Sequence, residues 1–277
     1  MADACSLALR SNIHAHSSFS DGHNSCEEMV QAALARGFVS FGLSDHGYAP
    51  HDVCSMRREG EARYRAEVRR LQQKYAGQIE LALGYEHDAS MPEADLTPYD
   101  YVIESVHFIR RGGEYTSVDA SAAQLQGLID LYFGGDPYAM CADYFESVCR
   151  SIMDTPGQIA GHIGLVSKFN EGNRMFDAGS PRYLRPAKEA LRCAVERDLL
   201  VEVNTGAMSR GYRTEPYPGR ALLEHLHDLG GRIILTTDCH RAEWVDCGLA
   251  QAAQLARECG FRESWIWKDG GFQAVEL

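Results

Sequence analysis

The chain alternates strand-like and helix-like segments along nearly its whole length, and this alternation is what most restricts its fold. Short apolar runs that predict strands lie at residues 11–16, 38–43, 79–85, 101–108, 159–162, 200–204 and 233–237. Segments that predict helices follow them at residues 26–36, 56–75, 121–133, 138–154, 186–197, 219–229 and 247–259. Because strands joined through helices are typical of parallel sheets, the pattern predicts an α/β protein with a parallel sheet.

The organisation of the chain favours one domain. Residues 168–185 show no clear hydrophobic periodicity and contain several Gly, Asn and Pro residues, which predicts a loop that lies over the functional site. Residues 264–268 and 272–275, joined by Asp269-Gly270-Gly271, predict a terminal hairpin. We find no internal repeat or linker, so we expect a single domain over residues 1–277.

Side chains that can bind metals lie at the ends of the predicted strands. His14 and His16 share one side of the first strand, since residues i and i+2 of a strand point the same way. A lone His-x-His is more often just two polar residues at a strand end. Here, however, further donors end later strands or follow the first one: Asp21, His46, Glu86, His107, His162, Asp238 and His240. In a parallel barrel these ends share one rim, so we expect the donors to converge.

Nine donors are too many for one ion. A catalytic zinc uses about three protein ligands, so the set predicts two or three divalent ions with Glu86 as a bridging carboxylate. Mixed imidazole and carboxylate donors suit zinc, iron or manganese. A water bridging two such ions loses a proton near neutral pH and becomes a nucleophile. This chemistry predicts hydrolysis, above all of phosphate esters.

The composition and charge of the chain argue against several other classes of protein. A formal net charge of −12 argues against a large nucleic-acid interface, because phosphate backbones select clustered Lys and Arg. The sequence shows neither a signal peptide at its start nor about 18 consecutive apolar residues, so we expect no membrane span and a cytoplasmic location. The nine cysteines form no Cys-x-x-Cys pair, which predicts free thiols in a reducing compartment.

The ordered motifs resemble those of the polymerase and histidinol phosphatase (PHP) superfamily over residues 11–245. They are His14-Ala15-His16 with Asp21, Ser44-Asp45-His46-Gly47, Gly84-Tyr85-Glu86, Ser105-Val106-His107, Gly161-His162-Ile163, Glu202-Val203-Asn204-Thr205 and Thr237-Asp238-Cys239-His240. Tyr217-Pro218 and Arg241 after His240 make the chain most similar to the histidinol-phosphate phosphatase branch. The resemblance implies a distorted (β/α)7 TIM-like barrel with a trinuclear metal centre.

The resemblance also assigns the donors to three ions. It implies that the first ion is held by His14, His16, Glu86 and Asp238, the second by Glu86, His107 and His162, and the third by Asp21, His46 and His240.

Cationic residues that follow the strand-end motifs are candidates for binding phosphoryl oxygens. They are Lys168, Arg210, Arg213 and Arg241, of which Lys168 and Arg210 are the first choices. Asp238 or His240 is the candidate catalytic proton donor to the leaving alkoxide. Asp45 is expected either to orient the ring of His46 or to cap a loop.

These observations predict a phosphomonoester hydrolase that uses a metal-bridging hydroxide, with L-histidinol phosphate as the expected substrate and a small phosphorylated metabolite as its partner. The alternatives are a PHP phosphoesterase acting on another small phosphate or on nucleic-acid ends, an amidohydrolase, and a non-catalytic metal-binding module. An amidohydrolase typically needs a bridging lysine, and Glu86 stands in that role here. The number of subunits stays open.

Overall fold

The computed structural model describes residues 6–277, and the elements below are those of this part of the chain. The strands are β1 (Ser11–Asn12), β2 (Ser40–Leu43), β3 (Glu80–Asp88), β4 (Tyr101–Ser105), β5 (Phe108–Arg111), β6 (Glu114–Ser117), β7 (Ile159–Ala160), β8 (Leu200–Asn204), β9 (Arg232–Thr236), β10 (Glu263–Lys268) and β11 (Gly271–Glu276). The α-helices are α1 (Cys26–Ala35), α2 (Gly60–Lys74), α3 (Ala122–Phe133), α4 (Pro137–Asp154), α5 (Pro181–Glu196), α6 (Gly206–Ser209), α7 (Arg220–Asp228) and α8 (Leu249–Glu258).

Seven parallel strands curl into a distorted barrel in the order β1-β2-β3-β4-β7-β8-β9. The barrel closes between its first and last strands, where Ala15 pairs with Cys239 and the amide of His16 donates to the carbonyl of Cys239 (2.9 Å). The side chain of Asn12 supports this closure, because it bonds both Oγ1 (2.7 Å) and the amide (3.1 Å) of Thr237. The predicted (β/α)7 fold is confirmed.

The floor of the barrel interior is apolar. Its buried cluster consists of Ile13, Ala82, Tyr101, Ile103, Ile159, Leu200, Ile234 and Trp267. The ring of Tyr101 fills the space above Gly42 and Gly84, where an added Cβ would lie 2.2 Å from the Tyr101 side chain. Trp267 belongs to the antiparallel pair β10–β11, which joins the sheet beside β9 and covers this end of the barrel.

Local capping explains where the helices begin. The Ser25 side chain accepts from the amide of Glu28, and the Glu28 carboxylate accepts from the amide of Ser25 (2.7 Å), which forms a capping box on α1. Ser180 caps α5 and Pro181 is its first residue. The predicted start of this helix at residue 186 is therefore wrong, because Pro186 lies inside the helix.

Two further expectations need correction. The segment predicted as one strand at residues 101–108 ends at Ser105, and β5 pairs antiparallel with β6 as a separate hairpin. Cys149 of α4 and Cys193 of α5 form a disulfide with their Cα atoms 5.7 Å apart, so the prediction of free thiols is wrong for this pair. The other cysteines of residues 6–277 are free, and Cys5 lies outside the described residues.

The prediction of one domain over residues 1–277 stays a prediction, and its residues 1–5 are outside the described part. Within residues 6–277, no helix combines the length and apolar character needed to cross a membrane.

Candidate metal centre

The nine predicted metal ligands meet at the carboxyl-terminal rim of the barrel. They lie within or shortly after the strands: His14, His16 and Asp21 after β1, His46 after β2, Glu86 in β3, His107 after β4, His162 after β7, and Asp238 and His240 after β9. Groups of their donor atoms lie close enough together to share ions. The structure thus brings together every residue of the predicted set.

Glu86 is at the centre of the cluster, and its carboxylate is fully buried. Oε1 lies 2.9 Å from Nε2 of His162 and 3.5 Å from Nε2 of His107. Oε2 lies 2.9 Å from Nδ1 of His46, 3.3 Å from Nε2 of His14 and 3.4 Å from Nε2 of His16. One carboxylate thus faces five imidazoles, which is the arrangement required of a bridging ligand.

Two aspartates complete the cluster on the cleft side. Oδ1 of Asp238 lies 3.1 Å from Nε2 of His16 and 3.7 Å from Nε2 of His14. Oδ2 of Asp21 lies 3.1 Å from Nε2 of His240, and its Oδ1 lies 3.8 Å from Nε2 of His46. Asp21, His46 and His240 form one group with His16. The other groups are His14 with His16 and Glu86, His14 with His162 and Asp238, and His46 with Glu86 and His107. The assignment of the donors to three ions stays a prediction.

Several of these donor atoms fit a bound cation. Nε2 of His14, Nε2 of His16 and Oε2 of Glu86 are buried and have no hydrogen-bond partner. A buried polar atom without a partner is costly, and a divalent ion between these atoms would satisfy all of them. The donor set of imidazole and carboxylate suits zinc, iron or manganese.

The charges of the cluster strongly shift its pKa values. Burial lowers the pKa of His14, but the carboxylates of Glu202, Glu86 and Asp238 outweigh burial and hold this pKa well above its ordinary value. Burial and the neighbouring His240 and His46 instead lower the pKa of His16 to about 3. The pKa of Glu86 stays well below its ordinary value despite burial, because His46, His14 and His107 surround it. The centre therefore attracts positive charge, either protons or metal ions.

Two buried carboxylates that we did not predict as site residues orient ligand rings. Oε1 of Glu202 lies 2.6 Å from Nδ1 of His14, and its Oε2 accepts from the amide of His162 (2.8 Å). Oδ2 of Asp88 accepts from the amide of His107 (2.6 Å) and lies 3.0 Å from its Nδ1. Such partners hold the other ring nitrogen toward the metal.

Local sequence contains a signal for both carboxylates. Glu202 is the one charge in the apolar strand 200–204, and Asp88 follows Glu86 at the i+2 spacing of one strand face. Asp45 has the second of its two expected roles: its carboxylate accepts from the amides of Ser17 (2.8 Å) and Ser20 (3.1 Å) and caps the loop before Asp21.

The four predicted phosphate-binding cations divide into two pairs. Lys168 and Arg210 line a cleft of about 400 Å³ beside the metal centre. Nζ of Lys168 donates to Oδ2 of Asp119 (3.0 Å), and Nη2 of Arg210 donates to Oδ2 of Asp238 (3.1 Å). Nε of Arg210 is buried without a partner and stays available as a donor.

The other two cations do not line this cleft. Arg213 donates to the carbonyl of Ser167 (3.0 Å) and so supports the loop that carries Lys168. The guanidinium of Arg241 lies 5.3 Å from the centre of the Trp244 ring. These contacts hold both arginines outside the cleft lining, and their predicted role in binding phosphate stays a prediction.

Comparison with known proteins gives a family match. Residues 12–206 match the sequence model of the PHP domain. A Bacillus subtilis protein named histidinol-phosphatase is 25% identical over 268 residues, which cover 88% of this chain and 97% of the relative. A Schizosaccharomyces pombe protein named "Probable histidinol-phosphatase" is 26% identical over 258 residues, which cover 84% of this chain and 81% of the relative.

Two solved structures show the same fold. One, from Listeria monocytogenes, has a TM-score of 0.76 at 22% sequence identity, and the match covers 87% of this chain and 98% of the Listeria chain. The other is histidinol phosphate phosphatase from Lactococcus lactis, in complex with zinc, L-histidinol and phosphate. It has a TM-score of 0.69 at 22% identity and covers 95% of this chain and 99% of its own.

Proposed function

The chain belongs to the PHP domain family and is a metal-dependent phosphatase, and we propose that its substrate is L-histidinol phosphate, which it cleaves to L-histidinol and phosphate. The observation that carries the proposal is the buried Glu86 carboxylate facing five imidazoles at the rim of the barrel. The two relatives described above are named as histidinol-phosphatases, and their sequence match with this chain covers most of the length of each relative. All nine donor residues are present, which argues against a non-catalytic module.

The nine donor residues would hold the ions, and Glu202 and Asp88 would keep the rings of His14 and His107 in place. When bound, divalent ions supply a nucleophile at neutral pH and polarise the phosphoryl group under attack.

Arg210 and Lys168 would hold the equatorial oxygens of the phosphoryl group. Both side chains are nearly enclosed at the cleft wall, where hydrogen bonds to an anion are stronger than in open water. Arg210 has an unused Nε donor for this purpose. These contacts would stabilise the charge that spreads over the transferred group during an in-line displacement.

His240 is the better of the two candidate proton donors to the leaving alkoxide. Burial would raise the pKa of Asp238, but Arg210 and His14 hold this pKa well below its ordinary value, so the carboxylate stays ionised. An ionised carboxylate has no proton to give. His240 lines the same cleft and is therefore the candidate that remains.

The test compares substrates after reconstitution with zinc, iron or manganese. We expect kcat/KM for L-histidinol phosphate to exceed that for a generic aryl phosphate by more than about tenfold, or roughly 1.4 kcal/mol of transition-state discrimination. A smaller ratio would contradict the substrate assignment. Dinucleotides and amides complete the panel, and turnover of either in preference to phosphomonoesters would favour a nuclease or an amidohydrolase.

A further inference from the structure

We propose that Asp52 binds the ammonium group of the substrate, so that the cleft beside the metal centre selects phosphomonoesters of amino alcohols. The inference rests on the proposed function and names a residue that would determine its specificity. A phosphatase must hold the organic part of its substrate as well as its phosphate, and both positive and negative side chains line the cleft beside the metal centre.

Asp52 lies in the turn after β2, on the wall of the cleft that also carries His46 and Cys54. Asp21, His46 and His240 of the metal centre line the same cleft, so Asp52 lies on a wall beside that centre. Asp52 is half-buried, so a substrate could cover it on binding. A cation held there would be adjacent to a phosphate at the ions.

Asp52 differs from the other three aspartates of the cleft in having no cationic partner. Asp21 pairs with His240 (3.1 Å), Asp119 with Lys168 (3.0 Å) and Asp238 with Arg210 (3.1 Å). In the part of the chain that the structure describes, no Lys, Arg or His side chain forms an ion pair with Asp52.

The carboxylate of Asp52 keeps one oxygen available. Its Oδ1 accepts a hydrogen bond from the amide of Cys54 (2.9 Å), which shapes the turn. Within residues 6–277, Oδ2 accepts no hydrogen bond from the protein. A carboxylate that lines a cleft and has neither a cationic partner nor a second hydrogen bond is suited to an ammonium donor.

The cleft therefore carries cations and an unpaired anion at different places. Lys168 and Arg210 suit the phosphate, and Asp52 suits a positive group on the same substrate. In L-histidinol phosphate the carbon bearing the primary amine is bonded to the carbon bearing the phosphate ester. Its two charges are therefore close enough to be held within one small cleft.

The test uses Asp52→Asn, which keeps an oxygen to accept from the Cys54 amide while removing the charge. Asp228→Asn is the matched control, because it removes the same charge from a side chain that is 81% exposed and does not line the cleft. Each variant is assayed with L-histidinol phosphate and with its analogue in which hydrogen replaces the amino group. Metal content is measured in parallel.

We expect Asp52→Asn to lower kcat/KM for L-histidinol phosphate by about 10- to 100-fold, mainly through KM, as for loss of one charge-assisted hydrogen bond. The same variant should change kcat/KM for the des-amino analogue by less than about twofold. Equal losses on both substrates, or loss of bound metal, would overturn the role of Asp52.

A wrong substrate assignment can be distinguished from a wrong role of Asp52. If the wild-type enzyme does not prefer L-histidinol phosphate to an aryl phosphate, the same variants are compared on phosphoethanolamine and ethyl phosphate. A loss confined to phosphoethanolamine would still support Asp52 as the ammonium site, and equal losses would reject it.

Discussion

The floor and the rim of the barrel interior are built from the same strands but from opposite kinds of side chain. At the floor, Ile13, Ile103 and Ile234 form a closed apolar cluster whose burial holds the strands together. At the rim, Glu86 and its imidazoles form a buried charged cluster, which costs free energy unless a partner compensates it. Stability and metal chemistry are thus separated along the barrel axis.

Strand β3 contains both regions. Ala82 and Glu86 point to the same side of the strand, since they are an even number of residues apart, yet one belongs to the apolar floor and the other to the metal centre. Substitutions at the floor should therefore act on folding, and substitutions at the rim on metal binding and turnover.

The largest effect is expected at the rim, from the double variant His14→Ala with His16→Ala. It removes two fully buried donors that face Glu86 and Asp238. We expect phosphatase turnover to fall on the order of 10³-fold or more, since the loss exceeds that of a single electrostatic contact. Metal per chain, measured by elemental analysis, should fall with it. His23→Ala, at an exposed histidine, is the control, and unchanged turnover and metal in the double variant would refute the site.

At the floor, Ile103→Ala should lower the free energy of unfolding by about 2–5 kcal/mol, because it leaves a cavity at a fully buried position. Urea unfolding at fixed metal concentration measures this change. Leu131→Ala, at a side chain that is 72% exposed, should cost less than about 0.5 kcal/mol. A decrease in kcat of the folded Ile103→Ala protein at full metal content would show that floor and rim are coupled.

A smaller effect at the rim is expected from Glu202→Gln, which weakens the contact that orients His14. Metal affinity and turnover should each fall by about 10- to 100-fold, as is typical when a carboxylate behind a ligand is removed. Competition with a chelator measures the affinity. Glu196→Gln, at an exposed position at the end of α5, should leave the affinity unchanged. Equal affinity in both variants would mean that Glu202 does not orient the ligand.

The smallest effect concerns pH and the Asp119–Lys168 pair. Burial raises the pKa of Asp119, but Lys168 and His107 outweigh it and lower this pKa to about 2. A carboxyl with a depressed folded pKa adds stability above its unfolded pKa and loses it as the pH falls from about 4 to 2.

Asp119→Asn should therefore cost about 1–2 kcal/mol of unfolding free energy near neutral pH, and the difference from wild type should vanish only below about pH 2. Chemical denaturation at a series of pH values checks this convergence. The cost of Ile103→Ala should not depend on pH over this range, since no charge is removed. A constant cost for Asp119→Asn would mean that its carboxyl is not shifted.

Much of the barrel could be predicted because local pattern and parallel topology agree. The apolar runs around Phe41, Leu83 and Val203 become barrel strands. The local sequence pattern did not predict the end of a strand where a tertiary contact sets that end. The apolar run after Tyr101 continues to Phe108, but Asp88 accepts from the amide of His107 and breaks the strand there. The β5–β6 hairpin follows that break. Its two-residue Gly112-Gly113 turn, with positive φ at both residues, is a hairpin signal that the strand prediction did not use.

The chemical identity of the donors and their shared end of the barrel follow from the amino-acid sequence alone. His14, His46, Glu86 and His162 lie at the ends of predicted strands or directly after them, and parallel strands bring such ends together whatever path the loops take. Which carboxylate orients which ring, and which cations face the cleft, depends on the tertiary structure. Glu202 reaches His14 across 188 residues of sequence, and Lys168 enters the cleft whereas Arg213 does not. These outcomes depend on loop paths and side-chain packing between distant segments, and no local pattern contains them.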